Sequence, residues 1–348
     1  MKQNFIADLR PDTVVRSTFL INVRERKTAA NGSAYLDLSL RDSTGLIGAK
    51  LWDCDRFSAE FEVGDVVHVD GSVEEYRGAP QIRVRKISKC APEEFDLRDY
   101  LPRSQREPEE MYAALLARLR AMPEGPLRTL LLAVMEDPVI AEKYKLAPAA
   151  TSYHHAFLGG LLEHVSSLLE LGERVCDHYE SLDRDLVVAG LVLHDLGKIE
   201  ELSFTRGFAY TTRGQLLGHI TISLEIVREK MQLVPDFPAA LRDKIEHIIL
   251  SHHGKAEFGS PREPMFPEAL VVHYLDDLDS KLESMRAQFV ADKDRPGEWT
   301  ARNRALGHEL LKPTPATAGT APSAGPVLPE RLPDEQPQLA FRDGQEKS

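Results

Sequence analysis

Residues 12–90 alternate apolar and polar side chains with a period of two, which is the pattern of half-buried β-strands. In two successive stretches the apolar positions are Leu36, Leu38, Leu40, Ile47, Ala49 and Leu51. Turn-forming sequences interrupt the alternation at RDSTG, at GD (64–65) and at YRGAPQ (76–81). We therefore expect about five short strands, which fits a small closed barrel within residues 1–90.

From about Glu107 the apolar residues recur at helical spacing, first at Met111, Leu115 and Leu119. Between the two patterns, residues 91–106 are polar and contain two prolines, so we expect a linker there. The helical pattern continues to about residue 305. Residues 312–348 are rich in Pro, Ala, Thr and Gly, which predicts a disordered tail. The predicted fold is thus a multidomain α and β protein, with a β-barrel, an all-α domain (107–305) and the tail.

Several apolar helical segments end in histidine or aspartate, beginning with LVVAGLVLHDLGK, which contains His194 and Asp195. Burying an unpaired charge costs several kcal/mol, so a core helix that ends in both groups usually gives them a metal. The other candidates, each closing an apolar segment, are His164, His219, His252, His253 and Asp276. Helical spacing slightly favours His252 over His253 as the inward residue, and Asp279 is an alternative to Asp276. This set predicts a metal site between the helices of a bundle.

The order of these residues resembles the HD superfamily of metal-dependent phosphohydrolases. The resemblance implies that His164, His194, Asp195 and Asp276 hold one divalent ion. It also implies that Asp195 bridges to a second ion, held by His219 and by His252 or His253. Lys198, in HDLGK, is then the expected catalytic cation beside Asp195, although a lysine there could simply complement a helix dipole. His154 and His155 precede the site, where they either bind substrate phosphate or only form the loop.

The barrel sequence resembles the nucleic-acid-binding OB-fold, in YLDLSLRDSTGLIGAKLWD and GDVVHVDGSVEEYRGAPQIRV. Single-strand binding needs aromatic rings to stack on bases and cations to neutralise phosphates. The outward residues that we expect to supply them are Tyr35, Arg41, Lys50, Trp52, Arg83 and Arg85. Outward cations are also common on any solvated strand, and Trp52 could instead close the barrel end. Arg24, Arg26 and Lys27, expected in the first inter-strand loop, are further candidate phosphate contacts.

The charge distribution argues against a protein that coats nucleic acid by long-range attraction, because the net charge is −12. Residues 1–90 carry 14 Lys/Arg and 13 Asp/Glu, a net of +1, so the other 258 residues carry −13. Three widely spaced cysteines suggest reduced thiols and no disulfide framework. With no signal peptide pattern and no long apolar run, we expect a cytoplasmic protein outside the membrane.

A barrel of this kind joined to HHAFLGGLLEHV, LHDLGKIEEL, GQLLGHI, ILSHHG and YLDDLDSKL resembles the YhaM family of 3′-5′ exoribonucleases. The resemblance implies that a hydroxide on two ions releases nucleoside 5′-monophosphates from single-stranded RNA, with single-stranded DNA as a weaker substrate. Histidine and carboxylate ligands without thiolate suit Mn²⁺, Fe²⁺, Co²⁺ or Zn²⁺, and the resemblance implies manganese or a similar divalent ion.

Two other functions remain open at this point. The site could hydrolyse small nucleotides, with the barrel as an interaction module, or the protein could be a non-enzymatic strand-binding regulator. The complete ligand set argues against the second of these. The sequence also leaves open a homo-oligomer, as well as a protein partner that binds the tail at Gln338–Phe341.

Overall fold

The N-terminal strands close into a five-stranded barrel in this computed structural model, which describes residues 2, 4–29, 32–54, 61–76, 78–151, 155–204 and 207–313. The strands are β1 (Val14–Thr28), β2 (Ala34–Asp42), β3 (Gly45–Trp52), β4 (Val66–Tyr76) and β5 (Ala79–Lys89). They are joined in the order β1-β2-β3-β5-β4, and all pairings are antiparallel except that of β3 with β5. Leu36, Leu38 and Leu40 are buried on alternate positions of β2, which confirms the predicted barrel.

Strand β1 is longer than the sequence pattern indicates. Its pairing with β2 shifts register between Ile21 and Val23 and then continues to Thr28, opposite Ala34. Arg24, Arg26 and Lys27 therefore lie in a strand, and the expectation that they lie in a loop was wrong. The apolar and polar residues of this segment do not alternate clearly, but β2 supplies the backbone hydrogen-bond partners that extend the strand.

The segment between the barrel and the helices is packed against both of them. Tyr100 and Leu101 are fully buried in a cluster with Leu20, Val66 and Leu158. Leu20 and Val66 belong to the barrel, whereas Leu158 precedes the first helix of the metal centre. The polar composition of residues 91–106 thus conceals a small apolar core between the two domains.

Nine helices follow the barrel within the described residues. They are α1 (Pro108–Ala121), α2 (Pro126–Met135), α3 (Pro138–Leu146), α4 (Gly160–His178), α5 (Arg184–Leu193), α6 (Lys198–Glu201), α7 (Thr212–Met231), α8 (Ala239–Ser251) and α9 (Pro267–Ala291). A two-stranded hairpin, β6 (Leu202–Ser203) and β7 (Ala209–Tyr210), joins α6 to α7. No helix of the described chain is both long enough and apolar enough to cross a membrane.

Helix α5 lies at the centre of the helical domain, where every residue from Leu186 to Leu193 is buried. At Gly190 an added Cβ would lie 2.8 Å from Val272 of α9 and 3.0 Å from Ile248 of α8. This close approach brings the end of α5, where His194 follows, next to α8 and α9. After α9 the chain is irregular from 292 to 313, so the last helix ends before residue 305.

Candidate metal centre and nucleic-acid interface

Four predicted ligands from three helical segments meet in one buried cluster, which we call the first cluster: His164, His194, Asp195 and Asp276. His164 Nε2 lies 3.2 Å from Asp276 Oδ1, and His194 Nε2 lies 3.3 Å from Asp195 Oδ2. Ligand atoms about 2.0–2.2 Å from a single ion are separated by distances of this order. The first cluster therefore has the size of one metal site with two imidazoles and two carboxylates.

Three histidines form a second cluster beside it: His219, His252 and His253. Asp195 faces both clusters, because its Oδ1 atom lies 3.5 Å from His219 Nε2 and 3.6 Å from His252 Nε2. Helix α8 ends at Ser251, and His252 and His253 form the turn directly after it, so that both rings reach the cluster. His252 is fully buried, as the apolar stripe of α8 suggests.

In all five of these histidines the Nδ1 atom already has a partner. The rings of His194, His252 and His253 face backbone carbonyls, at 3.0, 2.8 and 2.8 Å respectively. His164 Nδ1 lies 2.7 Å from Asp279 Oδ2, and His219 Nδ1 lies 3.1 Å from Glu201 Oε1. A neutral ring that donates from Nδ1 presents the Nε2 lone pair, which is how metal-binding histidines are usually oriented.

Four buried atoms of the two clusters make no hydrogen bond within the described part of the chain: His194 Nε2, Asp195 Oδ1, His219 Nε2 and His252 Nε2. A buried polar atom without a partner costs about 1–3 kcal/mol, so four that converge need a common explanation. All of them are electron-pair donors of the kind that bind divalent cations. The residues present therefore fit a metal centre.

The charges around Asp195 keep it ionised. Burial alone would raise the pKa of its carboxyl group, but Lys198 and His194 hold that pKa well below the usual range. Lys198 Nζ donates to Asp195 Oδ2 at 2.6 Å. Burial would lower the pKa of Lys198, but Asp195 and Asp276 outweigh it and raise that pKa. Lys198 is the first residue of the four-residue helix α6, and its side chain contacts Asp195 one turn earlier.

Burial, together with the nearby rings of His252 and His219, lowers the pKa of His253 to about 3. His253 is therefore neutral at physiological pH, which is the form that can bind a metal. The pKa of His252 is also lowered, again chiefly by burial.

Asp279 supports the first cluster from one helical turn beyond Asp276. Its Oδ2 atom faces His164 and, at 3.1 Å, His155 Nε2, while its Oδ1 atom accepts a hydrogen bond from Ser167 at 2.6 Å. His155 is thus buried against Asp279, and its predicted contact with substrate stays a prediction. His154 lies outside the described residues, as do Gln338–Phe341.

Two supporting residues were missed by the sequence reasoning, Glu201 and Ser223. Ser223 Oγ accepts a hydrogen bond from the Gly197 amide at 2.7 Å and donates to the His194 carbonyl at 3.2 Å, which fixes the turn after α5. Glu201 is mostly buried and faces both the backbone and the ring of His219. The only signal in the sequence for Glu201 is that an acidic residue precedes an apolar one a few positions after His194 and Asp195.

On the outer face of the barrel, four of the predicted nucleic-acid contacts lie together. Tyr35 and Trp52 are paired across β2 and β3, with ring centroids 4.7 Å apart, and Trp52 is 41% exposed. Lys50 lies beside them, 5.3 Å from the Tyr35 ring, and Arg83 of β5 is opposite Lys50. We call these four residues the barrel face. Asp37 also belongs to this surface and forms ion pairs with Lys27 and Lys50 at 2.8 and 2.5 Å.

Arg41 lies apart from the barrel face, whereas Arg85 is two residues from Arg83 on the outward side of β5. Arg41 is six residues along β2 from Tyr35, about 20 Å away, and burial lowers the pKa of its guanidinium group to about 10. Arg85 forms an ion pair with Asp70 of β4, which also binds Arg16. Both were predicted to contact nucleic acid from their outward position and from the resemblance to the OB-fold, and this stays a prediction.

The helical and barrel regions each match a known family. Residues 161–281 match the HD domain, and residues 21–89 match the OB-fold nucleic acid binding domain. A domain of replication protein A from Methanococcus maripaludis has 25% identity to this chain and a TM-score of 0.22, covering 25% of this chain and 92% of that one. At that TM-score the likeness adds nothing to the assignment.

Curated relatives match over most of the chain. The 3′-5′ exoribonuclease YhaM of Bacillus subtilis (strain 168) is 38% identical over 299 residues, which is 85% of this chain and 93% of the relative. The protein of the same name from Bacillus velezensis is 38% identical over 300 residues, covering 85% and 94%. That from Bacillus pumilus is 36% identical over 299 residues, covering 85% and 93%.

Proposed function

Since the chain belongs to the YhaM family of metal-dependent 3′-5′ exoribonucleases, we propose that it degrades RNA at a two-ion centre formed by the first and second clusters. The observation that carries this proposal is the position of Asp195. One of its carboxylate oxygens faces the first cluster and the other faces the second. Asp195 would therefore help to hold both ions when they are bound.

The first ion would be held by His164, His194, Asp195 and Asp276, and the second by the three histidines of the second cluster together with Asp195. Divalent ions in such a centre polarise the scissile phosphate and lower the pKa of water. Mixed imidazole and carboxylate ligands suit Mn²⁺, which we propose as the metal, with Fe²⁺, Co²⁺ and Zn²⁺ as chemically compatible alternatives.

The chain's own groups prepare the centre for the reaction. Lys198 keeps its proton because two carboxylates surround it, so it presents a fixed positive charge next to Asp195. That charge is available to stabilise the phosphoryl oxygens as negative charge develops on them. Lys198 also limits the rotation of the Asp195 carboxylate, whose Oδ1 atom is thereby directed towards the second cluster.

The barrel face would hold the single strand upstream of the 3′ end. Tyr35 and Trp52 offer rings on which bases can stack, and Lys50 and Arg83 offer charge to the adjoining phosphates. Arg41, Arg85 and His155 stay as weaker candidates for substrate contact. We also propose that the enzyme acts on RNA in the cytoplasm, and that single-stranded DNA is a poorer substrate. A homo-oligomer and a protein partner for the tail stay predictions.

The direct test is digestion of a 5′-labelled single-stranded RNA with Mn²⁺, beside a 3′-labelled copy and a panel of free nucleotides. We expect the 5′-labelled strand to shorten as a ladder and the 3′ label to appear at once as a mononucleotide. Metal analysis of the same preparation should find two ions per chain in excess Mn²⁺. Cleavage of free nucleotides without any ladder would contradict the proposal and indicate a small-nucleotide phosphohydrolase.

A further inference from the structure

Helix α7 is broken just before the residue that it contributes to the second cluster. Gly218 has φ 70° and ψ 156°, a combination that only glycine adopts readily, so α7 consists of two helical pieces. The second piece begins at His219. The first amide groups of a helix have no partner within that helix, so the N–H group of His219 must find one elsewhere.

Glu201 supplies that partner through one carboxylate oxygen. Its Oε1 atom accepts a hydrogen bond from the His219 amide at 2.9 Å and lies 3.1 Å from His219 Nδ1. A negative charge at a helix N-terminus is favourable, and a carboxylate behind a metal-binding imidazole fixes the ring and raises its basicity. Glu201 therefore fixes His219 at two points, the backbone and the ring.

The backbone of Glu201 is itself held in place. Its carbonyl accepts a hydrogen bond from the Thr211 amide at 2.9 Å, and an added Cβ at Gly214 would lie 2.2 Å from the same carbonyl oxygen. The close approach of α7 to the end of α6 thus leaves the carboxylate little freedom. His252 and His253 differ from His219, because backbone carbonyls orient their rings.

We propose that Glu201 is a positioning residue that sets the affinity of the second metal position through His219. Glu201 does not contact substrate in this proposal. The inference rests on the two-ion centre proposed above and adds to it the residue that controls one ion independently of the other. The first cluster contains no ligand that Glu201 touches, so its affinity should not depend on this carboxylate.

The test is Mn²⁺ binding measured by calorimetry on the full-length protein, wild type beside Glu201→Ala, Glu201→Gln and Glu200→Ala. Glu200 is the matched control, because it is adjacent in sequence but forms surface ion pairs with Lys143 and Arg213. We expect Glu201→Ala to weaken only the second ion, by about 10- to 100-fold. Glu201→Gln retains an acceptor oxygen but loses the charge, so its loss should be smaller. Glu200→Ala should match wild type.

Electron paramagnetic resonance on the same samples provides a readout independent of turnover, because two adjacent Mn²⁺ ions couple magnetically. The coupled signal should be lost in Glu201→Ala at Mn²⁺ concentrations that retain it in wild type. If Glu201→Ala binds two ions with the same affinities as wild type, the role proposed for Glu201 is overturned and the two-ion centre is not. Equal weakening of both ions in Glu201→Gln would also overturn that role. A wild-type protein that binds a single ion would instead overturn the two-ion centre.

Discussion

The metal centre and the barrel face are the two regions proposed to contact RNA, and they hold their polar groups in different ways. At the metal centre His194 and His252 are fully buried, and each ring has a fixed partner at Nδ1. On the barrel face, Trp52 is 41% exposed, and Arg83 pairs only at 3.6 Å with Glu74. The first region is a site whose geometry is set by folding, whereas the second is an exposed surface whose side chains have fewer fixed partners.

This difference predicts two kinds of mutational effect. Removing a side chain from the metal centre takes away a ligand that no neighbouring group can replace, so the loss of activity should be nearly complete. Removing a group from the barrel face should reduce binding by an increment, since stacking and phosphate contacts add up along the strand.

The largest effect is expected for Asp195→Ala. Loss of the carboxylate that faces both clusters should reduce RNA hydrolysis by about 10³-fold or more, while binding of long RNA stays within twofold, because the barrel is unchanged. Rates come from the ladder assay and affinities from fluorescence anisotropy. Asp177→Ala, at an exposed carboxylate paired with Arg184, serves as the control. Activity within tenfold of wild type in Asp195→Ala would rule out its bridging position.

An intermediate effect is expected for Trp52→Ala, with Trp299→Ala as its control. Both tryptophans are about half exposed, but Trp299 lies in the segment after α9 and far from the barrel in sequence. Loss of a stacked base should weaken binding of long RNA by about 1–3 kcal/mol, roughly five- to 150-fold. Cleavage of a dinucleotide should be unchanged in both variants. Equal losses on the two substrates would show that Trp52 supports folding and not binding.

A smaller effect is expected for Arg83→Ala, and it should appear mainly in the salt dependence. Each phosphate contact contributes about 0.7 to the slope of log affinity against log salt for a single strand. The Arg83→Ala slope should be shallower by about that amount, whereas Arg120→Ala, at an exposed helical arginine paired with Glu136, should leave it unchanged. An unaltered slope for Arg83→Ala would remove Arg83 from the interface.

No effect on catalysis is expected when the chain is ended after Pro313. The removed segment contains none of the cluster residues, whereas Lys312 is retained because its amide donates to the Glu298 carbonyl at 2.8 Å. Turnover of a short RNA with Mn²⁺ should match that of the full-length protein. A large decrease would mean that the tail contributes to the active site.

The sequence predicted those features that depend on local periodicity. Alternation identified the inward leucines of β2, and apolar helical runs that end in a polar residue identified His164, His194 and Asp276 as neighbours. Burial of each run predicted a partner for its last residue, and the order of these residues along the chain carried the family assignment through its resemblance to the HD superfamily. The same alternation predicted that Tyr35 and Trp52 both face outward from the barrel.

Features that depend on contacts between distant segments could not be predicted in this way. Glu200 and Glu201 are adjacent acids with similar local surroundings, and only the break at Gly218 brings a free amide to one of them. Alternation predicted that Arg41 faces outward from β2, but it could not predict where on the barrel surface Arg41 lies. Helical spacing favoured His252 over His253 as the inward residue; His252 is fully buried, but the spacing did not predict that the ring of His253 also reaches the second cluster.

The buried residues between the domains, Tyr100 and Leu101, have a consequence for the length of RNA that the enzyme can hold. A flexible tether would let the barrel follow a shortening strand, but a linker packed against Leu20, Val66 and Leu158 fixes the span between the barrel face and the metal centre. An RNA that occupies both must be at least that long. If the barrel face binds RNA as proposed, strands shorter than this span reach only one of the two regions, and we expect them to bind more weakly than longer strands.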